Sequence, residues 1–221
     1  MCKCKLLLLL VFKVFFLCSV FSESFTDNKN QQSPPSLVWH RAYNGSGEES
    51  HPHHVIQTSD LGFLMVGETG FIEERNARIF LVKTDKDGHL QWKNEFGKSG
   101  HNLGNFVLEM KDGNFLIAGS LNFDAALIKV NAKSGNIIWT RTWNLGKEDA
   151  FESIIQTTDG DILATGYCDG LAEGTFLNWG RGVLLKTNTE GNEKWMKDLS
   201  AFTSSGYRIK KREKNFLLLC H

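Results

Sequence analysis

Cysteine is scarce where it would shape a fold. Of 5 cysteines in 221 residues, Cys2, Cys4 and Cys18 stand near the N-terminus. Cys168 and Cys220 remain, too few for a disulfide framework; a single bond and two free thiols both stay open. Charge of one sign is not in excess either: 25 Lys and Arg face 25 Asp and Glu. That balance gives no electrostatic footprint for nucleic acid or an anionic membrane. Phosphate loops, catalytic-triad spacings and basic–aromatic patches are absent. The long apolar run, Leu6 to Phe21, covers 16 residues and contains Lys13. It falls short of the roughly 20 apolar residues that span a bilayer. With Lys3 and Lys5 before it and the small Val20 and Ser22 at its end, it reads as a secretory signal over 1–22, cleaved after Ser22. An uncleaved signal anchor is the rival reading. Residues 23–36 are polar and proline-containing, a disordered leader. The expected location is therefore outside the cell or in the secretory lumen. There the sequon Asn44-Gly45-Ser46 makes Asn44 a glycosylation site.

What the chain has is glycine (21), phenylalanine (16) and tryptophan (6), arranged in a repeat. Four short strands carry a tryptophan: Leu37 to His40, Leu90 to Lys93, Ile137 to Thr140 and Glu193 to Met196. Trp39, Trp92, Trp139 and Trp195 are spaced by 53, 47 and 56 residues. Between them the same pieces recur. A strand ends in an acidic turn: Val55 to Asp60, Val107 to Asp112, Ile154 to Asp159. The Asp-Gly turns among these signal hairpins, since glycine accepts positive φ. Next comes an apolar strand closed by Gly67, Gly119 or Gly166. A third strand closes on Lys83, Lys129 or Lys186 before another polar turn.

Each unit thus holds four antiparallel strands, A to D. Strands B and C are apolar on both faces, so both faces need cover. Stacked four-stranded sheets provide it, which predicts an all-β propeller of four-stranded blades. A linear β-solenoid is the alternative. A large aromatic such as Trp139 would fill the wedge between diverging blades. Expected boundaries are 37–43 for a spare outer strand, 51–96, 103–143 and 150–199 for three blades, and 206–221 for a half blade. With about 3.5 blades the ring is incomplete. One reading has the N-terminal strand closing the last blade; the other takes the sequence as a truncated product without independent function.

The run Asn131 to Trp139 resembles the repeat of the PQQ-like, quinoprotein-dehydrogenase-like propeller superfamily. Thr158 to Gly166, with the Leu-Leu-Lys and Gly-Asn-Glu-Lys-Trp that follow, is similar to repeats of secreted propellers of no assigned activity. The resemblance covers nearly all of the mature chain and implies the fold. Quinoprotein dehydrogenases also carry adjacent cysteines at their cofactor. Here Cys168 and Cys220 lie 52 positions apart, so no cofactor is expected.

Alternation of tight and long connections places the A–B and C–D turns on one face. The long loops, Asn44 to His53, Glu68 to Arg78 and Tyr167 to Arg181, share the other, where a ligand is expected near the central axis. Candidate binding residues there are Glu148, Asp149 and Glu152, joined by Asp124, and the loop aromatics Phe176 and Trp179. His51, His53 and His54 suggest a metal. But adjacent strand residues face opposite ways, and no carboxylate or cysteine joins them at useful spacing, so a metal site is not expected. A non-enzymatic secreted binding scaffold for a protein or carbohydrate is the leading reading. A carbohydrate-active hydrolase or lyase using the acidic loop residues is the alternative. An open sheet edge also allows self-association.

Overall fold

The computed structural model describes residues 36–47, 49–70, 76–98, 100, 102–169, 180–213 and 215–220. The expected signal, all of the leader but Ser36, and Phe176 and Trp179 lie outside the described residues. Two compact units divide the chain, Met1–Val38 and Trp39–His221; the second carries every strand described below. No helix is long and apolar enough to cross a membrane among the described residues.

Among the described residues fourteen strands follow in order. Blade 1 is β1 (Ser50–Gln57), β2 (Phe63–Thr69), β3 (Arg78–Thr84) and β4 (Leu90–Phe96). Blade 2 is β5 (Leu103–Glu109), β6 (Phe115–Leu121), β7 (Asp124–Val130) and β8 (Ile137–Trp143). Blade 3 is β9 (Ala150–Gln156), β10 (Ile162–Cys168), β11 (Arg181–Thr187) and β12 (Glu193–Asp198). A two-stranded sheet, β13 (Gly206–Arg212) and β14 (Asn215–Cys220), completes the described residues. Each sheet is an antiparallel meander in chain order. The architecture is an all-β propeller of three and a half blades.

Burial explains the apolar B and C strands. Leu64, Val66, Ile79 and Leu81 of blade 1 pack against Val107, Phe115, Ile117 and Ile128 of blade 2. The opposite face of blade 2, with Leu116, Ala118 and Leu127, packs on Phe151, Ile154 and Ile162 of blade 3. Neighbouring residues on one strand therefore enter two different cores, which period-2 geometry requires.

Three of the outer tryptophans cover a turn of the blade that follows. Gly88, Gly135 and Gly191 hold φ of +77°, +68° and +78° beneath Trp39, Trp92 and Trp139 respectively. A Cβ on Gly135 would come within 2.7 Å of the Trp92 ring, so glycine serves both the turn and the close approach. Trp92 Nε1 donates to Ala132 O at 3.0 Å, satisfying its polar end.

The segment 37–43 differs from expectation. It forms no ladder; among the described residues no third strand is present for it to pair with. Side chains hold its second half in place instead: Trp39 meets Phe63 edge-on at 5.8 Å, and the Tyr43 hydroxyl donates to Gly88 O at 2.5 Å. Cys168 and Cys220 are free thiols, the first buried and the second exposed.

The lysine that closes strand C has an electrostatic cause. Lys83 Nζ lies 2.8 Å from Asp60 in the A–B turn, Lys129 2.5 Å from Asp112, and Lys186 2.9 Å from Asp161. Burial alone would raise the Asp60 carboxyl. The Lys83 ammonium, the Thr58 hydroxyl and the Gly62 N–H outweigh it and hold the pKa at about 2. A depressed carboxylate pKa contributes stability that is complete above its unfolded value and lost as pH falls through the folded one. For Asp60 that window runs from about pH 4 down to about pH 2. Half-exposure screens the pair, so roughly 1 kcal/mol is expected to disappear across it. Urea midpoints of wild type and Asp60→Asn measured across this range should converge at the acid end. A constant gap would dismiss the pair as a source of acid sensitivity.

Candidate functional site

Strands β1, β5, β9 and β13 contact one another in succession and form the inner wall. Each carries a β-bulge at the same height. The register slips between Pro52 and His54, between Gly104 and Phe106, between Phe151 and Ser153, and between Gly206 and Arg208. One residue in each strand is left without a ladder partner: His53, Asn105, Glu152 and Tyr207. Bulges re-aim side chains, and three of these residues join across the blades. His53 Nδ1 lies 3.1 Å from Asn105 Oδ1. Asn105 Nδ2 donates to Glu152 Oε1 and to Phe151 O, both at 3.2 Å.

Glu68, at the end of β2, extends this chain. Its Oε2 lies 3.0 Å from His53 Nε2, and its Oε1 lies 3.3 Å from His51 Nδ1. Glu49 Oε2 lies 3.0 Å from the other ring nitrogen of His51. The side chain of Glu68 is buried while that of His51 is 55% exposed. The Glu68 carboxylate beside it draws the His53 imidazole above its ordinary pKa, against burial. Burial pushes the Glu152 carboxyl up to about 7, with the His53 charge pulling the other way. Burial, then the charges of Glu152, Glu148 and Asp149, push the Tyr167 hydroxyl upward.

One residue further along each inner strand stand His54, Phe106, Ser153 and Arg208. His54 stacks on Phe106 with centroids 3.8 Å apart, and the Arg208 guanidinium sits 4.7 Å from that ring. Burial, then the Arg208 charge, lowers the His54 pKa. A neutral ring fits the role of its Nδ1, which accepts the Val107 N–H at 3.3 Å. His54 thus faces away from His53, as strand alternation requires.

The expected residues separate into distinct roles. Glu152 and His53 belong to one hydrogen-bonded chain, and His51 shares Glu68 with His53. Glu68 stands 17 and 15 positions after His51 and His53 in sequence; the β1–β2 pairing brings it to them. Asp149 is fully buried, and its carboxylate accepts Leu145 N at 2.6 Å, Gly146 N at 3.0 Å and Asp169 N at 2.7 Å. It ties the loop entering β9 to the loop leaving β10. Glu148 is half-buried, its charge acting on Tyr167. Asp124 accepts from Asn144 Nδ2 at 2.8 Å. Asn44 is exposed, and the hydroxyl of its sequon partner Ser46 donates to Glu95.

Asn105, Glu68 and Tyr167 escape the sequence reading, although a signal for them exists. His53, Asn105 and Glu152 each stand seven positions before the turn aspartates Asp60, Asp112 and Asp159. Glu68 and Tyr167 each stand eight positions after theirs.

Two other features lie elsewhere. A cleft of about 510 Å³ between blades 1 and 2 opens on the tight-turn face, lined by Ser59, Lys83, Trp92, Glu109 and Lys133 among others. Two of its charged groups are engaged, Lys83 with Asp60 and Glu109 with Ser59. In the β3–β4 turn, Asp85, Asp87 and His89 bring ligand atoms within 4.8 Å of one another. There Asp85 accepts the backbone N–H groups of Asp87 and His89, the bonding of an ordinary polar turn.

No protein-family model matches the chain, and no curated protein matches it. Among solved structures it is similar to the crystal structure of a protein from Lactobacillus plantarum. The two share 13% identity, over 81% of this chain and 51% of that one, with a TM-score of 0.53. The chain spans about half the length of that protein. The likeness is one of fold. It is a β-propeller-like fold, and the bulged inner strands are its axial wall.

Proposed function

We propose that this chain is a secreted binding module related to the PQQ-like propellers but without their quinone chemistry. Its ligand, a carbohydrate or another hydroxyl-rich molecule, is held at the axial mouth of the long-loop face. The observation that supports this reading is the hydrogen-bonded row His53, Asn105 and Glu152. It offers donors and acceptors side by side from three blades, on strands rather than on loops. Phe106, capped by His54 and Arg208, supplies an apolar surface beside it. Secretion itself is testable in the same preparation. Expression through a secretory pathway should give a mobility shift that endoglycosidase removes and that Asn44→Gln lacks.

Binding of the secreted protein to an immobilised glycan panel tests the ligand class. Asn105→Ala removes the link between His53 and Glu152 and is expected to weaken any glycan bound at the mouth about tenfold, roughly 1.4 kcal/mol. Equal affinity in wild type, Asn105→Ala and Glu152→Gln would place binding elsewhere and sink the proposal.

The raised Glu152 carboxyl favours a second reading, a hydrolase or lyase. A carboxyl poised near neutrality can act as a general acid. Turnover of a bound glycan that Glu152→Gln abolishes, with affinity retained, would decide for the enzyme.

A further inference from the structure

We propose that His51, His53 and Glu68 form a binding site for a divalent transition-metal ion of the zinc type. The ligand atoms are His51 Nδ1, His53 Nε2 and the Glu68 carboxylate. The site shares His53 with the row described above but does not rest on the ligand reading.

Three observations carry the assignment. First, two imidazoles converge on one carboxylate, with nitrogen–oxygen separations of 3.3 and 3.0 Å. Zinc bonds of about 2.0–2.1 Å at tetrahedral angles set neighbouring ligand atoms about 3.3 Å apart. Two histidines and one carboxylate are also a donor set that zinc takes when one position stays open.

Second, the outer nitrogen of each ring is already held. Glu49 Oε2 lies 3.0 Å from His51 Nε2, and Asn105 Oδ1 lies 3.1 Å from His53 Nδ1. Metal-binding histidines characteristically give their second nitrogen to an oxygen, which fixes the ring and aims the first nitrogen at the ion. Here both rings show that arrangement, through different partners.

Third, the carboxylate is buried beyond what its contacts satisfy. Glu68 is 1% exposed, and its Oε2 has no hydrogen bond of good geometry although His53 stands beside it. A buried carboxylate oxygen without a proper donor is costly, and a cation between it and the two rings removes that cost. Glu49 and Glu152 nearby balance the remaining charge.

The two imidazoles meet different oxygens of Glu68, and the three ligand atoms do not all lie within 4.8 Å of one another as those of the Asp85–Asp87–His89 turn do, so binding must draw the exposed His51 ring inward. Binding requires both rings neutral at the ligating nitrogen, so metal uptake releases the protons they carry.

The test uses the whole secreted chain, stripped with chelator and dialysed. Zn²⁺ is added by calorimetry, and Co²⁺ is followed by its visible absorption. One ion per chain and a tetrahedral Co²⁺ spectrum are expected. His53→Ala and Glu68→Gln should each weaken uptake at least about 100-fold, and Asn105→Ala, which only frees the outer nitrogen of His53, about tenfold. His51→Ala, at an exposed side chain, separates loss of metal from loss of folding, since its thermal transition should stay unchanged without metal. Asp87→Asn should leave uptake intact. Failure of the wild type to take up either ion would overturn the site. So would uptake that survives His51→Ala combined with His53→Ala, or uptake lost in Asp87→Asn.

Discussion

Gly119→Ala is expected to cost at least about 3 kcal/mol, close to the whole stability of a marginal domain. An added Cβ would lie 1.8 Å from Leu103 O, a backbone atom of the neighbouring inner strand. Side chains can swing aside, but this carbonyl cannot without undoing the bulge opposite. The same clash recurs at Gly67 against His51 O, 1.9 Å, and at Gly166 against Ala150 O, 2.0 Å. Glycine closes strand B because the bulged strand A passes over it. Gly113→Ala is the control. Its Cβ would meet nothing within 4 Å, but φ is +79°, so about 1 kcal/mol of backbone strain is expected. Urea unfolding of the two variants should therefore differ by a clear margin. Equal midpoints would mean that the strands separate at no cost, and that the bulge does not dictate the glycine.

Asp149→Ala is expected to destabilise by about 3 kcal/mol, and without the ligand-dependent signature of a binding group. Three backbone N–H groups, of Leu145, Gly146 and Asp169, point at a carboxylate with no solvent exposure. Truncation leaves all three donors buried or half-buried without their acceptor, and each costs about 1 kcal/mol or more. Asp149→Asn keeps the acceptor oxygen and should recover part of the loss. Thermal melts separate the two. If ligand affinity fell in Asp149→Asn while its melting temperature matched wild type, Asp149 would be a binding residue rather than a clasp. Asn102 performs the same duty in blade 2: its amide donates to Ala77 O at 2.8 Å and accepts Asn122 N at 2.9 Å. An aspartate in one blade and an asparagine in another fill the same place: each accepts a backbone N–H, from Asp169 and Asn122, and the asparagine amide adds a bond to a backbone carbonyl.

This pair shows where sequence reading works and where it stops. Trp92, Gly135 and Asp112 each act through local geometry: a turn, a positive φ, a ring above a turn. Such features repeat in the chain at recognisable spacing, so blades and strands are legible. The axial row is not, because it depends on a bulge, a one-residue surplus in one strand of a pair. His53 and His54 look equivalent in sequence, yet one reaches Glu68 and the other stacks on Phe106. Glu68 is invisible for a related reason. It arrives by pairing with His51 across β1 and β2, and cross-strand neighbours are far apart along the chain. Asp149 misleads in the opposite sense, since an acid in a loop resembles a ligand group until its three donors are seen. The segment 37–43 reads as a strand from Leu37, Trp39 and Arg41, but a strand exists only with a partner.

Blade 2 packs on blades 1 and 3, and blade 3 also on the β13–β14 sheet, so among the described residues the fold inherits the behaviour of a short linear polymer. Stability is then a sum of blade terms and junction terms. Opening is expected to proceed from the weaker terminus inward, like a zipper. The two-stranded sheet β13–β14, whose Phe216, Leu217 and Leu219 stay exposed, contributes the smallest of these terms. Its amide protons should exchange with solvent first, those of β6 and β7 last, each of these two strands being flanked by a core on either side. A ligand that bridges His53, Asn105 and Glu152 would act as a rivet through three links, converting a sequence of partial openings into a single cooperative one.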